Sequence, residues 1–133
     1  KIVNGNLLDA TEAMICHQVN CQGAMNSGVA KGIRNKYPEV FNQYLQAVSN
    51  HRKSGEPLLG CCQYVDISSG NGRQFCCNMF AQNRYGYDGR TYTSLEAFRE
   101  CLEDINRVCV GCSVAFPWKV GWSRLGYCTS YDM

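Results

Sequence analysis

A chain of 133 residues with 45% apolar and 18% charged side chains can bury one real core and is too apolar to be disordered, so residues 1–133 are read as a single domain. The net charge of +2 comes from scattered basic residues, which disfavours a nucleic-acid partner, and no apolar run reaches the roughly 20 residues of a membrane span. Most of the ten cysteines lie inside apolar runs, where a thiol acts as a small hydrophobe, so reduced thiols and a cytoplasmic setting are expected rather than a disulfide scaffold.

The first clear element is the run AMICHQV, residues 13–19, long enough for a buried strand. The turn NCQGAMNSG follows, and a helix is expected from about Val29 to Lys36. Pro38 suits the first position of a second helix, because Tyr37 before it is pushed out of helical geometry. That helix carries Val40, Phe41, Tyr44, Leu45 and Val48 on one face and stops by Gly55. Two strands, about Gly60–Ile67 and Arg73–Ala81, then read as a hairpin around SSGNG. Thr93 and Glu96 form a capping box for a third helix with the stripe Leu95, Phe98, Leu102, Ile105, Cys109. Ser113–Trp118 is apolar on both faces, as a covered central strand should be. The sum is an α/β domain, a mixed sheet between helix layers.

A metal site is not expected. Cys109-Val-Gly-Cys112 is the one CxxC, and the pairs Cys61-Cys62 and Cys76-Cys77 would point to opposite faces of a strand.

In open α/β sheets ligands bind beyond the carboxyl ends of strands. Two segments have that position and character. In Asn20–Ala30, Gly23 and Gly28 let the backbone approach a ligand, and the helix opening at Val29 offers N–H groups to a phosphate. In Lys119–Tyr127, the run KVGWSRLGY brings Gly121, Gly126, Ser123, Lys119 and Arg124. Neither is a Walker loop or a GxGxxG turn.

The run NGNLLDA, then HQVNCQGAMNSGVAKGIRNKYP, resembles the signature of the macro domain (Appr-1''-p processing) family. The segments FAQNRYGYDGRTYTSLEAF and SVAFPWKVG are similar to the branch holding ADP-ribose 1''-phosphate phosphatases and the terminal ADP-ribose protein glycohydrolase. The resemblance implies a three-layer α/β/α sandwich with a central mixed sheet. Relative to that fold, the final helix and strand look missing or altered here, and an unpaired sheet edge that a homodimer could cover is expected. It also implies a site for ADP-ribose. Asn6, beside Leu7, stands where most members place an Asp that reads the adenine amino group. Asn20, after Val19, matches the Asn that holds the terminal ribose. Gly23, Ala24, Met25, Asn26, Ser27, Gly28, Val29 and Ala30 match the loop around ribose and phosphates. Val120, Gly121, Trp122, Ser123, Arg124 and Gly126 match the second diphosphate loop, with Trp122 and Leu125 bulkier than the pattern.

His17 matches a histidine assigned to the active site in the phosphatase branch, and its alternative reading is a core histidine. With Asn20 it forms the expected catalytic pair. Gln82 stands where the lysine-dependent glycohydrolases need Lys, and the second loop has no acidic residue, so a lysyl intermediate is excluded. The resemblance thus implies a hydrolase of ADP-ribose 1''-phosphate or a related ADP-ribosyl compound, with no cofactor. The alternative is a non-catalytic reader of free or protein-linked ADP-ribose. Poly(A) binding, known among macro domains, is disfavoured by the even charge distribution.

Overall fold

The computed structural model describes residues 2–3, 5–69, 72–86, 92–117 and 127–130. Six strands and three α-helices follow one another as β1 (Ile2–Val3), β2 (Met14–Asn20), α1 (Gly28–Lys36), α2 (Pro38–Ser54), β3 (Cys62–Asp66), β4 (Phe75–Gln82), α3 (Leu95–Val108), β5 (Val114–Pro117) and β6 (Tyr127–Ser130). A short 3-10 helix, Leu7–Asp9, precedes β2. One sheet runs in the order β1-β6-β5-β2-β4-β3. β2 is parallel to both β4 and β5, while β3 and β6 run antiparallel to their neighbours. The sheet is therefore mixed.

Alternation along β2 sends its side chains to two cores. Ile15 and Val19 join Cys76, Phe80 and Val65 against Ile33, Val40, Tyr44 and Val48 of the first two helices. Met14 and Cys16 join Cys77 and Met79 against Cys101 and Ile105 of α3. This is the expected three-layer α/β/α sandwich. Both faces of β2 are covered, which explains its near-continuous apolar sequence.

The second helix forms as its sequence directs. Pro38 occupies the first turn with Glu39, while Arg52 and Lys53 sit in the last turn, each charge suiting its end of the helix dipole. Gly55 closes it at φ 74°, its N–H bonded to His51 O, in a left-handed position that favours glycine. Val40, Tyr44 and Val48 are fully buried. Each such burial contributes roughly 1.5–3 kcal/mol, so this row of three sets how α2 sits on the sheet. Leu45, expected on the same face, is 39% exposed.

Three further expectations are corrected. Ser94, not Thr93, caps α3, its hydroxyl accepting from Ala97 N at 3.2 Å. Thr93 is instead held by a β-bridge to Gln82 and donates to Gln18 Oε1 at 3.0 Å. The buried stripe shifts accordingly to Ala97, Cys101 and Ile105, with Phe98 and Leu102 half-buried and Leu95 80% exposed. At the C-terminus a last strand is present. Tyr127–Ser130 lies between β5 and β1, so that among the described residues the edge strands of the sheet are β1 and β3. As expected of reduced thiols, Cys16, Cys21, Cys61, Cys62, Cys76, Cys77 and Cys101 are free.

Candidate functional site: the Asn20 loop

The parallel strands β2, β4 and β5 end on the same edge of the sheet. At that edge Asn20 and Gln82 are register partners, just past an irregularity at Val19/Asn20. The loop from Asn20 to α1 leaves from here, and its shape is set by the side chain of Asn20. Asn20 Oδ1 accepts from Gln22 N at 2.9 Å and Ala24 N at 3.3 Å, while Nδ2 donates to Ala24 O at 2.9 Å. The side chain closes the turn as an extra strand of backbone would.

Tyr44 of α2 fixes that turn from below. Its hydroxyl lies 2.7 Å from both the main-chain oxygen and Oδ1 of Asn20, and it accepts from Gly23 N at 3.0 Å. The ring stacks on Phe80, centroids 5.7 Å apart. Burial raises its pKa to about 12, against the smaller opposing effect of the Gly23 and Ala24 amides. Gly23 has φ +89°, a left-handed value that favours glycine. More ties hold the rim. Cys21 N and Gln22 Nε2 both donate to Asn83 O, and Arg52 donates to Gln22 O at 3.1 Å. Arg34 donates to Asn26 Oδ1 at 3.0 Å with its guanidinium 4.0 Å from the Phe41 centroid.

The loop ends on an open helix terminus. Ser27 is the N-cap of α1 in extended geometry, and its side chain makes no capping hydrogen bond. Asn26, Ser27 and Gly28 are exposed, and Val29 and Ala30 half-buried. Backbone N–H groups and the positive dipole end are therefore turned to solvent, where an anion would be stabilised. Asn6 caps the 3-10 helix, which packs along the middle and C-terminal end of α1: Lys36 donates to Leu8 O at 2.6 Å, and Leu8 packs on Gly32. Asn6 Oδ1 already accepts from Leu8 N at 3.0 Å as that helix's cap.

The expected site residues divide on this geometry. Gly23, Ala24, Asn26, Ser27, Gly28, Val29 and Ala30 reach the surface around one loop, while Asn6 is half-buried at the start of the 3-10 helix. Leu7, Val19 and Met25 are buried in the core under α1 and α2, which leaves them only main-chain contacts. Asn20 is buried too, and the bonds just described spend its side chain on shaping the loop. Val120, Gly121, Trp122, Ser123, Arg124 and Gly126 lie outside the described residues.

His17 is corrected as a proton-transfer group. It points into the α1/α2 core with Ile15 and Val19, 1% exposed, its Nε2–H donating to Asn78 Oδ1 at 2.5 Å. Asn78 donates on to Gln63, and Gln63 to Gln43 O, so the imidazole ends a buried polar chain across β2, β4 and β3. Burial lowers its pKa to about 4, against a smaller upward effect of Asn78. It is a neutral core histidine.

Gln82, by contrast, stands at the site. Its Oε1 accepts from Gln18 Nε2, and its own amide donates to Arg84 O at 2.8 Å. Cys21 lies beneath the loop with its pKa raised to about 11, first by burial and then by the neighbouring Cys61. Residues that sequence reasoning missed are Tyr44, Gln22, Asn83 and Arg52. Tyr44 carried a signal, since a tyrosine on a buried helical stripe needs a partner for its hydroxyl.

No family model matches the chain. Over 75 residues, 56% of this chain and 20% of the relative, it is 33% identical to a DNA ADP-ribosyl glycohydrolase of Mycobacterium tuberculosis. Over 60 residues, 44% of this chain and 30% of the relative, it is 35% identical to an ADP-ribose 1''-phosphate phosphatase of Aspergillus oryzae. The chain thus spans less than a third of the length of these curated relatives. Among solved structures, the macrodomain of Mycobacterium tuberculosis DarG matches with a TM-score of 0.72 and 28% identity, over 86% of this chain and 72% of that one. The layered sheet described above is that of the macrodomain fold, and the chain is similar in sequence as well as structure to that neighbour.

Proposed function

We propose that the chain binds an ADP-ribosyl group over the Asn20 loop and hydrolyses the bond between its terminal ribose and the attached substituent. The observation that carries this reading is the pinned loop ending on an exposed α1 terminus that Ser27 leaves without a capping hydrogen bond. Such a terminus holds a diphosphate without recruiting a cation. The names of the two curated relatives, one acting on ADP-ribosylated DNA and one on ADP-ribose 1''-phosphate, support both the ligand and hydrolysis. In this reading Gly23, Ala24 and Ser27–Ala30 offer N–H groups to the phosphates. Asn6 faces the adenine, and Asn20 sets the loop that receives the terminal ribose. Hydrolysis then places a water's oxygen on the atom attacked at the 1'' linkage, and the substituent leaves with a proton. The loop N–H groups oppose the charge that develops.

One observation favours the alternative of a reader. Burial holds Cys21 and Tyr44 protonated, and His17, unprotonated but weakened as a base by the same burial, is shut in the core with its Nε2 on Asn78, so none of them is a strong base facing the ligand. Calorimetry with ADP-ribose, followed by chromatography after incubation with ADP-ribose 1''-phosphate, ADP-ribosylated DNA and ADP-ribosylated protein, separates the readings. Binding with release of ADP-ribose from one substrate supports the hydrolase and identifies its class. Binding without release from any supports the reader, and absence of binding overturns both.

A further inference from the structure

The two faces of the sheet differ in their thiols. Cys16, Cys62, Cys77, Cys101, Cys109 and Cys112 all belong to the core beneath α3, whereas Cys21 and Cys76 lie on the other side. Within the α3 layer one contact is unlike ordinary packing of small hydrophobes. Cys62, the first residue of edge strand β3, donates its thiol to Cys101 O at 3.4 Å. Cys101, in the middle of α3, donates its thiol back to Cys61 O at 3.4 Å. The two side chains thus meet between strand and helix, the Cys62 sulfur on the carbonyl of Cys101 and the Cys101 sulfur on the carbonyl of Cys61, the residue before Cys62. Two residues along the same strand, the Tyr64 hydroxyl donates to Asp104 Oδ2 at 2.5 Å, so the register of β3 on α3 is held at two successive points.

From this pair of thiol–carbonyl contacts between β3 and α3 we propose that Cys62 and Cys101 are a thiol modification site, oxidised by a hydroperoxide to a reversible disulfide that joins β3 to α3. The electrostatics favour Cys62 as the attacking sulfur. Hydrogen bonding from the Cys101 and Cys77 thiols pulls its pKa well below the ordinary range, against the opposing effect of burial. Cys101 is pushed up, first by its interaction with the Cys62 sulfur and then by its burial. Of the two, Cys62 is the sulfur that gives up its proton first, and the titration belongs to the pair. Cys61, though exposed, is held protonated by partial burial and by the neighbouring Cys62, Asp104 and Glu100. Exposure alone would select Cys61; reactivity follows the thiolate and selects Cys62.

The chemistry balances in two steps. The Cys62 thiolate attacks one peroxide oxygen, forming an S–O bond as the O–O bond breaks and hydroxide leaves to become water. Cys101 then gives up its proton and attacks the Cys62 sulfur, forming S–S and expelling a second water. Two thiols are oxidised by two electrons, and one hydroperoxide is reduced.

The fully reduced chain is treated with one equivalent of hydrogen peroxide in its native state, alkylated, digested with trypsin and read by mass spectrometry. Cys61 and Cys62 lie on the peptide spanning 54–73, and Cys101 on the peptide 100–107. The expected product is these two peptides joined, lost on reduction with dithiothreitol, retained in full by C61S and absent in C62S. C62S is the deciding variant because its site is only half-buried, whereas substituting the fully buried Cys101 risks the fold. A link that persists in C62S, a link lost in C61S, or complete alkylation of Cys62 after peroxide overturns the proposal.

Discussion

The hydroxyl of Tyr44 lies 2.7 Å from Asn20 Oδ1 and 2.7 Å from Asn20 O, beneath the loop that leads into α1. Tyr44→Phe keeps the ring on Phe80 and removes only that hydroxyl. Gly23 N–H and the two Asn20 oxygens then lose a partner in a site nearly closed to water, which costs roughly 1–3 kcal/mol. Urea unfolding should show a lower midpoint at unchanged slope. Affinity for ADP-ribose should fall with it, because the loop must then be ordered on binding. A midpoint equal to wild type would mean that the hydroxyl does not hold the loop.

Asn20 is tested by comparing two replacements. Asn20→Ala removes every bond that closes the turn, leaving Gln22 N–H and Ala24 N–H without their acceptor, and should cost about 2–3 kcal/mol. Asn20→Asp keeps the acceptor oxygen and loses only the donation to Ala24 O, so it should cost less than Asn20→Ala. On the proposed function the order reverses for ligand, since a carboxylate beside a diphosphate repels it. Affinity of Asn20→Asp for ADP-ribose should drop tenfold or more, about 1.4 kcal/mol. Unfolding and calorimetry on the same samples check both orders.

Much of the fold was legible because periodicity reports burial. The stripe Val40, Tyr44, Val48 and the alternation of β2 are geometric consequences of 3.6 and 2 residues per repeat. The same alternation placed His17 with Ile15 and Val19, a sign of the core that the family pattern outweighed. What stayed hidden depends on side chains meeting across the chain. Nothing local to Tyr44 shows that its hydroxyl meets Asn20, 24 residues away, or that Met25 in a polar loop turns inward. The α3 cap failed for a narrower reason. Thr93 and Ser94 are both capping residues, and the bond between Thr93 and Gln18 on β2 decides which of them is free to cap.

That frame is open to test. Ser94→Ala deletes the acceptor for Ala97 N–H and should lower stability by about 1 kcal/mol, the usual loss for an N-cap. Thr93→Ala leaves the cap intact and should instead disturb Gln18 and Gln82 at the strand ends. Thermal unfolding should therefore fall more for Ser94→Ala, and ADP-ribose affinity more for Thr93→Ala. The opposite pairing would return the cap to Thr93.

The buried His17 makes stability depend on pH in a defined direction. Its folded pKa of about 4 lies below the ordinary 6.5, so the unfolded chain takes up the proton first. Above pH 6.5 both states are neutral at this site and its stabilising effect is complete. As pH falls from 6.5 toward 4 the unfolded state gains protons that the folded state refuses, and stability drops. The shift of about 2.5 units corresponds to a loss of about 3 kcal/mol at the low end. His17→Gln removes the titrating group, and its amide can donate to Asn78 Oδ1 in the imidazole's place. Urea midpoints measured at pH 7 and pH 4.5 should separate widely for the wild-type chain and much less for His17→Gln. An equal separation in the two proteins would assign the acid sensitivity to other groups and remove His17 from the account.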